Sequence, residues 1–274
     1  MYSLLNDRVV SNQKLLQLTN RAFRYGDGCF ETIRVIDGKP IHLELHYERL
    51  VNTLGVLKLN IPNITIQSFQ AELEKLIATN EITEGARIRY TVFRDGKGLY
   101  TPDSNLAVRL IELSSLESNH YKLNIKGLNC GICKEIVLSY NSFSAYKTLN
   151  SLPYVMASIY KEESLFDNLI LMNRENRMVE MCNSNIFLIK GSSVFTPPIS
   201  EGCIDGVYRK YLLQILPLIG YKVILDPLHI NAISSADEIF VTNSISGIQW
   251  VGAMGQKRFQ NTKVKEIFSK INSL

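Results

Sequence analysis

Short β-branched and aromatic runs predict strands at Tyr2 to Leu5, Arg8 to Val10, Cys29 to Ile36, Ala86 to Arg94 and Leu106 to Leu113. Between them, Leu45, Leu50, Leu54 and Leu57 return on one side of a predicted helix over Glu44 to Leu57, and Ser68 to Thr79 predicts a second. Asp37-Gly38 is a hairpin signal, with Pro40 to Leu43 as the returning strand. These elements compose a small α/β lobe over residues 1–113. The polar, unpatterned Ser114 to Asn119 places an interdomain linker at 114–120, and 121–274 becomes a larger, strand-rich lobe. Its strands are predicted at Ile136 to Ser139, Leu169 to Met172, Met178 to Glu180, Asn185 to Lys190, Val194 to Thr196, Lys222 to Leu225 and Glu238 to Thr242. Helices are predicted at Val207 to Ile219 and Val264 to Ile271, and the expected class is α/β of the α+β kind, in two lobes.

One more helical pattern matters for chemistry. Leu149, Leu152, Val155, Met156 and Ile159 recur at helical spacing just after Lys147, so a packed helix is expected to anchor that lysine from behind. A lysine fixed at a turn-to-helix junction and partly desolvated becomes a nucleophile toward carbonyls, although a solvated loop lysine has the same local sequence.

Composition narrows the classes. The 274 residues are 46% hydrophobic and 20% charged, an ordinary globular balance. A formal charge of +4 is too small to imply nucleic acid and is compatible with an anionic substrate. The sequence offers neither a basic-then-apolar leader nor an apolar run near the ~20 residues of a membrane span. Five cysteines, an odd number, argue for reduced thiols and a cytoplasmic setting. Cys130-Gly131-Ile132-Cys133 has no second pair to complete a zinc site, and His42-Leu43-Glu44-Leu45-His46 puts its glutamate one position late for a metalloprotease helix, so no metal is expected.

Three further features stand with Lys147. Gly202 to Arg209 is a glycine-bounded turn opening into a helix, able to present backbone N–H groups and the positive helix end to an anion, or simply to start a helix capped by Asp205. Thr242-Asn243-Ser244 closes a predicted strand with donors that suit a phosphate. Glu180 sits in an apolar strand, where a carboxylate is costly to bury without a cationic partner. A nucleophilic lysine, a phosphate cradle and a buried carboxylate are what a protein must supply to pyridoxal phosphate.

At these residues the chain resembles the fold-type IV pyridoxal phosphate enzymes, the class IV aminotransferase family. The resemblance runs from Arg21 to Val251. Arg21-Ala22-Phe23-Arg24-Tyr25-Gly26-Asp27-Gly28-Cys29-Phe30-Glu31 is similar to the family's early block, and His46-Tyr47-Glu48-Arg49-Leu50 to its His-x-x-Arg-Leu helix. The resemblance implies that Arg49 binds the cofactor phosphate and Lys147 is the Schiff-base lysine. It further implies that Glu180 pairs with the pyridine nitrogen, and that Ile204, Asp205, Gly206, Asn243 and Ser244 lie on the two phosphate-binding turns. It also implies a homodimer, with the cofactor between the lobes and the partner's loop closing each pocket.

The reaction is read less sharply. Phe30-Glu31-Thr32-Ile33-Arg34-Val35 and Asn243 to Val251 resemble the aminodeoxychorismate lyases of the family, which release pyruvate from 4-amino-4-deoxychorismate and leave 4-aminobenzoate, a folate precursor. An amino acid transaminase, branched-chain or D-specific, is the alternative, and a cofactor-binding protein without turnover is the non-enzymatic one. The loop from Arg94 to Asp103 lacks the Arg-x-His carboxylate trap of D-amino acid enzymes, and Leu99 stands where lyases often carry an arginine. Candidate substrate contacts are Phe30, Arg34, Arg94, Lys97 and Tyr100. Branched-chain enzymes carry a tyrosine where this chain has Leu152; Tyr140 and Tyr146 are the remaining candidates to hold the cofactor's phenolic oxygen.

Overall fold

The strand-forming stretches near the N-terminus assemble into one antiparallel six-stranded sheet. The structure is a computed structural model that describes residues 1–11 and 19–273; the expected lobes 1–113 and 121–274 also include 12–18 and 274, which lie outside the described residues. The chain divides into two compact units, one of Met1–His120 with Tyr146–Asn150, the other of Tyr121–Ala145 with Ser151–Leu274.

The first unit contains, in order, β1 (Tyr2–Leu5), β2 (Arg8–Ser11), α1 (Arg21–Tyr25), β3 (Gly28–Ile36), β4 (Lys39–Pro40), α2 (Leu43–Leu57), α3 (Ile66–Thr79), β5 (Ala86–Arg94) and β6 (Ala107–Ser115). The sheet order is β2-β1-β6-β5-β3-β4. Asp37 and Gly38 both take positive φ, 49° and 69°, the turn whose twist matches its flanking strands. The returning strand is shorter than Pro40 to Leu43, because Leu43 is buried with His46, Leu50 and Leu54 on the inner face of α2. A reciprocal cap starts α3: Ser68 N–H donates to Thr65 Oγ1 at 3.1 Å, and Thr65 N–H to Ser68 Oγ at 2.9 Å. Leu50, Leu54, Phe69, Leu73 and Leu76 pack with Ile33, Ile88 and Tyr90 of the sheet as one core.

The second unit contains β7 (Leu128–Leu138), α4 (Leu152–Glu162), β8 (Asn168–Asn173), β9 (Arg177–Met181), β10 (Asn185–Lys190), β11 (Ser193–Thr196), a 3-10 turn (Ile199–Glu201), α5 (Val207–Leu218), β12 (Lys222–Leu225), β13 (Leu228–His229), α6 (Ala232–Ser235), β14 (Glu238–Asn243), β15 (Gly247–Met254), β16 (Lys257–Arg258) and α7 (Thr262–Asn272). The strands form one sheet in the order β12-β11-β10-β14-β15-β7-β8-β9-β13, with β16 beside β15. β7 is far longer than the expected Ile136 to Ser139 and carries Cys130 and Cys133, both buried. All five cysteines are buried free thiols.

The helix after Lys147 corrects an expectation. Leu152, Val155 and Ile159 are 68%, 50% and 43% exposed, whereas α4 buries Ala157 and packs Tyr154 and Tyr160 onto Leu169, Leu171 and Val179. A small residue flanked by aromatics at i−3 and i+3 lets the helix lie close to the sheet, and the aliphatic stripe faces outward. No helix among the described residues is long and apolar enough to cross a membrane.

Candidate active site

The backbone of Lys147 is held by β3. Phe30 N–H donates to Lys147 O and Leu149 N–H donates to Gly28 O, both at 2.9 Å, and Cys29 pairs with Thr148 as an antiparallel bridge. This approach requires glycine at 28, since a Cβ there would meet Leu149 Cδ1 at 2.9 Å and Val92 O at 2.3 Å. The lysine is half-buried, with Nζ 4.6 Å from the centre of the Phe30 ring. The guanidinium carbon of Arg89 lies 3.7 Å from the same ring.

The next residue of β3, Glu31, anchors a buried charge cluster. Arg49 Nε donates to Glu31 Oε1 at 2.8 Å and Arg49 Nη2 to Oε2 at 2.5 Å. His46 Nδ1 lies 2.6 Å from the same Oε2. Arg49 and His46 are three positions apart on α2, so one helix face delivers both to one carboxylate. Burial raises the Glu31 pKa, but the Arg49 charge and the hydrogen bonds from His46 and Arg49 outweigh it and hold it at about 2. Burial also pushes His46 below its ordinary value despite the carboxylate, so its neutral imidazole donates from Nδ1. Its Nε2 is buried with no hydrogen-bond partner.

The expected substrate arginines are engaged elsewhere. Arg34 donates through Nη2 to the carbonyls of Ser118 (2.6 Å), Asn119 (3.2 Å) and His120 (3.0 Å), clamping the segment that follows β6. Arg94 donates to Asp27, to Asn105 Oδ1 and to the carbonyls of Leu57 and Lys58. Both are buried, so they hold the scaffold and give no open carboxylate receptor. Arg21, missed as a functional candidate, donates to Asp27 at 2.7 Å and to the carbonyls of Lys97, Gly98 and Leu99, fixing the loop that carries the exposed Lys97 and Tyr100.

In the second unit Glu180 is 3% exposed on β9. Its Oε1 accepts from Tyr154 Oη at 2.7 Å; Ile204 N–H lies 3.3 Å from both oxygens, and Asn185 Nδ2 3.4 Å from Oε2. Asn185 also donates to Ile204 O at 2.9 Å. Gly206 is demanded by that asparagine, because a Cβ would meet Asn185 Oδ1 at 2.0 Å.

The Ile204-Asp205-Gly206 turn uses its own amides. Ile204 N–H points to Glu180, Asp205 N–H donates to Ala145 O and Gly206 N–H to Ile204 O. The first intrahelical bond of α5 runs from Lys210 N–H to Gly206 O, so the amides of Val207 and Arg209 have no acceptor within the helix. Arg209 Nη1 pairs with Asp205 at 3.1 Å. Across from this end, Asn243 Oδ1 accepts from Ile245 N–H and Ser246 N–H, and Asn243 Nδ2 donates to Ser184 Oγ. Tyr121 joins the two turns: its hydroxyl donates to Ser244 O at 2.9 Å and its ring lies edge-on to Tyr208, 5.2 Å away. The structure thus brings Glu180, Ile204, Asp205, Gly206, Asn243 and Ser244 to one end of the second sheet. Tyr121 and Tyr154 are the residues at this end of the sheet that sequence reasoning missed. Tyr154 shares its predicted helix with the apolar stripe and was masked by it.

Residues 28–253 match the amino-transferase class IV family. An aminodeoxychorismate lyase of Vibrio harveyi is 27% identical over 240 residues, covering 86% of each chain. A putative branched-chain-amino-acid aminotransferase of Methanocaldococcus jannaschii is 28% identical over 256 residues, covering 90% of this chain and 85% of the other. Among solved structures, a branched-chain amino acid aminotransferase from Escherichia coli superposes with a TM-score of 0.90 at 19% identity, covering 100% of this chain and 93% of that one. A 4-amino-4-deoxychorismate lyase from Pseudomonas aeruginosa gives 0.86 at 23%, covering 99% and 98%. At such identities the structural likeness speaks for the fold.

Proposed function

The chain belongs to the class IV amino-transferase family, and from that membership we propose that its cofactor, pyridoxal 5'-phosphate, is carried on Lys147 and that its reaction eliminates pyruvate from 4-amino-4-deoxychorismate to leave 4-aminobenzoate. Enzymes of this family act on small-molecule amines or amino acids. When bound, the cofactor supplies an aldehyde for the substrate amine and an electron-withdrawing ring for a developing carbanion.

The residues present fit that group. Lys147, pinned by main-chain bonds to β3, holds and moves a proton at Nζ. Glu180 offers a buried negative charge to a protonated ring nitrogen, in a shell that includes three neutral donors. Arg49 is oriented by Glu31 before any phosphate arrives. In the second unit the start of α5 and the Asn243-Ser244 turn suit a phosphate. Among the substrate candidates, Phe30 beside Lys147 and the loop residues Lys97 and Tyr100 remain in this reading.

What supports the lyase reading over a branched-chain transaminase is the pair of stretches Phe30 to Val35 and Thr242 to Val251, together with the likeness to the Vibrio harveyi lyase. The Methanocaldococcus relative favours the transaminase reading. Incubating the holoenzyme with aminodeoxychorismate should release pyruvate and 4-aminobenzoate. Conversion of the cofactor to pyridoxamine phosphate by L-leucine or L-glutamate, without pyruvate release, would replace the lyase by the transaminase. The reading includes a homodimer, supported by the exposed Leu152, Val155 and Ile159 stripe on α4, and a cytoplasmic setting, supported by five free buried thiols. Native mass spectrometry should report twice the chain mass.

A further inference from the structure

Glu180 is reached by donors of unequal strength. Asn185 Nδ2 makes its shorter bond, 2.9 Å, to Ile204 O and lies 3.4 Å from the carboxylate. Ile204 N–H is split between both oxygens at 3.3 Å. Tyr154 Oη, at 2.7 Å from Oε1, has the length of a charge-assisted O–H···O⁻ bond. Its ring is packed by α4 against Leu169, Leu171 and Val179, which fixes where the hydroxyl points. Burial, and then the Glu180 charge, drive the phenol far above its ordinary pKa, so Tyr154 stays protonated and donates.

A hydrogen bond donated to a carboxylate stabilises its ionised form and weakens it as a base. Where such a carboxylate faces a pyridine nitrogen, one proton is shared between two bases, and weakening one leaves the proton on the other. We propose that Tyr154 is a positioning residue that acts through Glu180: its hydroxyl keeps Glu180 ionised, so that the shared proton resides on the cofactor's ring nitrogen and not on the carboxyl. The inference rests on the reading of Glu180 as the ring-nitrogen partner. Removing the hydroxyl transfers that proton from ring nitrogen to Glu180, with no other atom exchanged, and leaves a neutral, poorer electron sink.

The test is the nitrogen-15 chemical shift of ring-labelled pyridoxal phosphate in the holoprotein, followed against pH. Tyr154→Phe preserves the packed ring and removes the donor. It should lower the pH at which the ring nitrogen loses its proton by about one to two units, the worth of one hydrogen bond to a charged group. Incorporating 3-fluorotyrosine at position 154, a stronger donor of nearly the same shape, should move it the other way, and supplies the answer if the phenylalanine variant does not fold. An unchanged shift in either folded protein overturns the role of Tyr154. Glu180→Gln separates the two layers: if it moves the shift while Tyr154→Phe does not, only the tyrosine inference falls. If Glu180→Gln leaves the shift unchanged, the Glu180 assignment falls, and the inference with it.

Discussion

Two of the buried glutamates, nearly equal in exposure, are compensated differently. Glu31 is 2% exposed and Glu180 3%. Glu31 is met by a bidentate arginine and a neutral histidine on one helix face. Glu180 has among its partners a phenol, a side-chain amide and a backbone amide, and in our reading it faces the cationic ring nitrogen of the cofactor. A carboxylate balanced inside the chain serves stability and orientation. One that faces a cofactor ring nitrogen, as we read Glu180, serves the chemistry of that ring. Mutating the first should therefore cost folding, and mutating the second should cost chemistry.

Glu31→Ala sharpens that difference most, since it leaves Arg49 charged and buried without its carboxylate. Urea unfolding of the protein without cofactor should show a loss of about 3–5 kcal/mol. Glu180→Gln should leave the urea midpoint nearly in place while lowering kcat by about 10²–10³-fold, the scale of removing one preorganised electrostatic group. If instead the Glu180 variant unfolds and the Glu31 variant does not, the comparison is reversed.

The pH dependence of stability divides the carboxylates further. Glu31 has a folded pKa of about 2 against an ordinary 4.5, so its contribution is complete above pH 4.5 and is lost as pH falls through 2. Glu72 has the opposite sign. Burial first, and the neighbouring Asp7, push it up to about 7 against the hydrogen bond from Tyr90 and the charge of Arg109. The folded protein holds that proton more tightly than the unfolded chain, so stability is highest below pH 4.5 and declines as pH rises to 7. Unfolding free energies measured across pH 4–8 should show that decline in the wild type and lose it in Glu72→Gln. The smallest effect is expected from Tyr90→Phe, which removes a 2.6 Å bond to Glu72 and should cost about 1 kcal/mol in the same assay.

The strands of the first sheet, and β8 to β12 and β14 of the second, are legible as β-branched runs bounded by turn residues, whereas β15 and most of β7 are not, and the Asp37-Gly38 hairpin is legible because positive φ at both positions leaves a compositional mark. It failed at α4, where two stripes share one helix. The aliphatic one has the spacing of a core face, while the smaller Tyr154-Ala157-Tyr160 face is the one that packs. Periodicity records where apolar residues recur and carries no record of which face finds a partner. Arg34 and Arg94 read as anion receptors because a charge in sequence gives no sign of the carbonyls and carboxylates that will claim it. Glu180 was legible because a carboxylate in an apolar strand is an anomaly. Its tyrosine was not, since an aromatic in a helix is ordinary until its hydroxyl is seen to reach an acceptor.

The central claim is that Lys147 carries pyridoxal phosphate. The visible absorption spectrum of the purified protein with pyridoxal phosphate should show the band of the lysine-bound cofactor, and Lys147→Ala should lose both that band and turnover. Persistence of the band in the variant, or its absence from the wild type, would contradict the account.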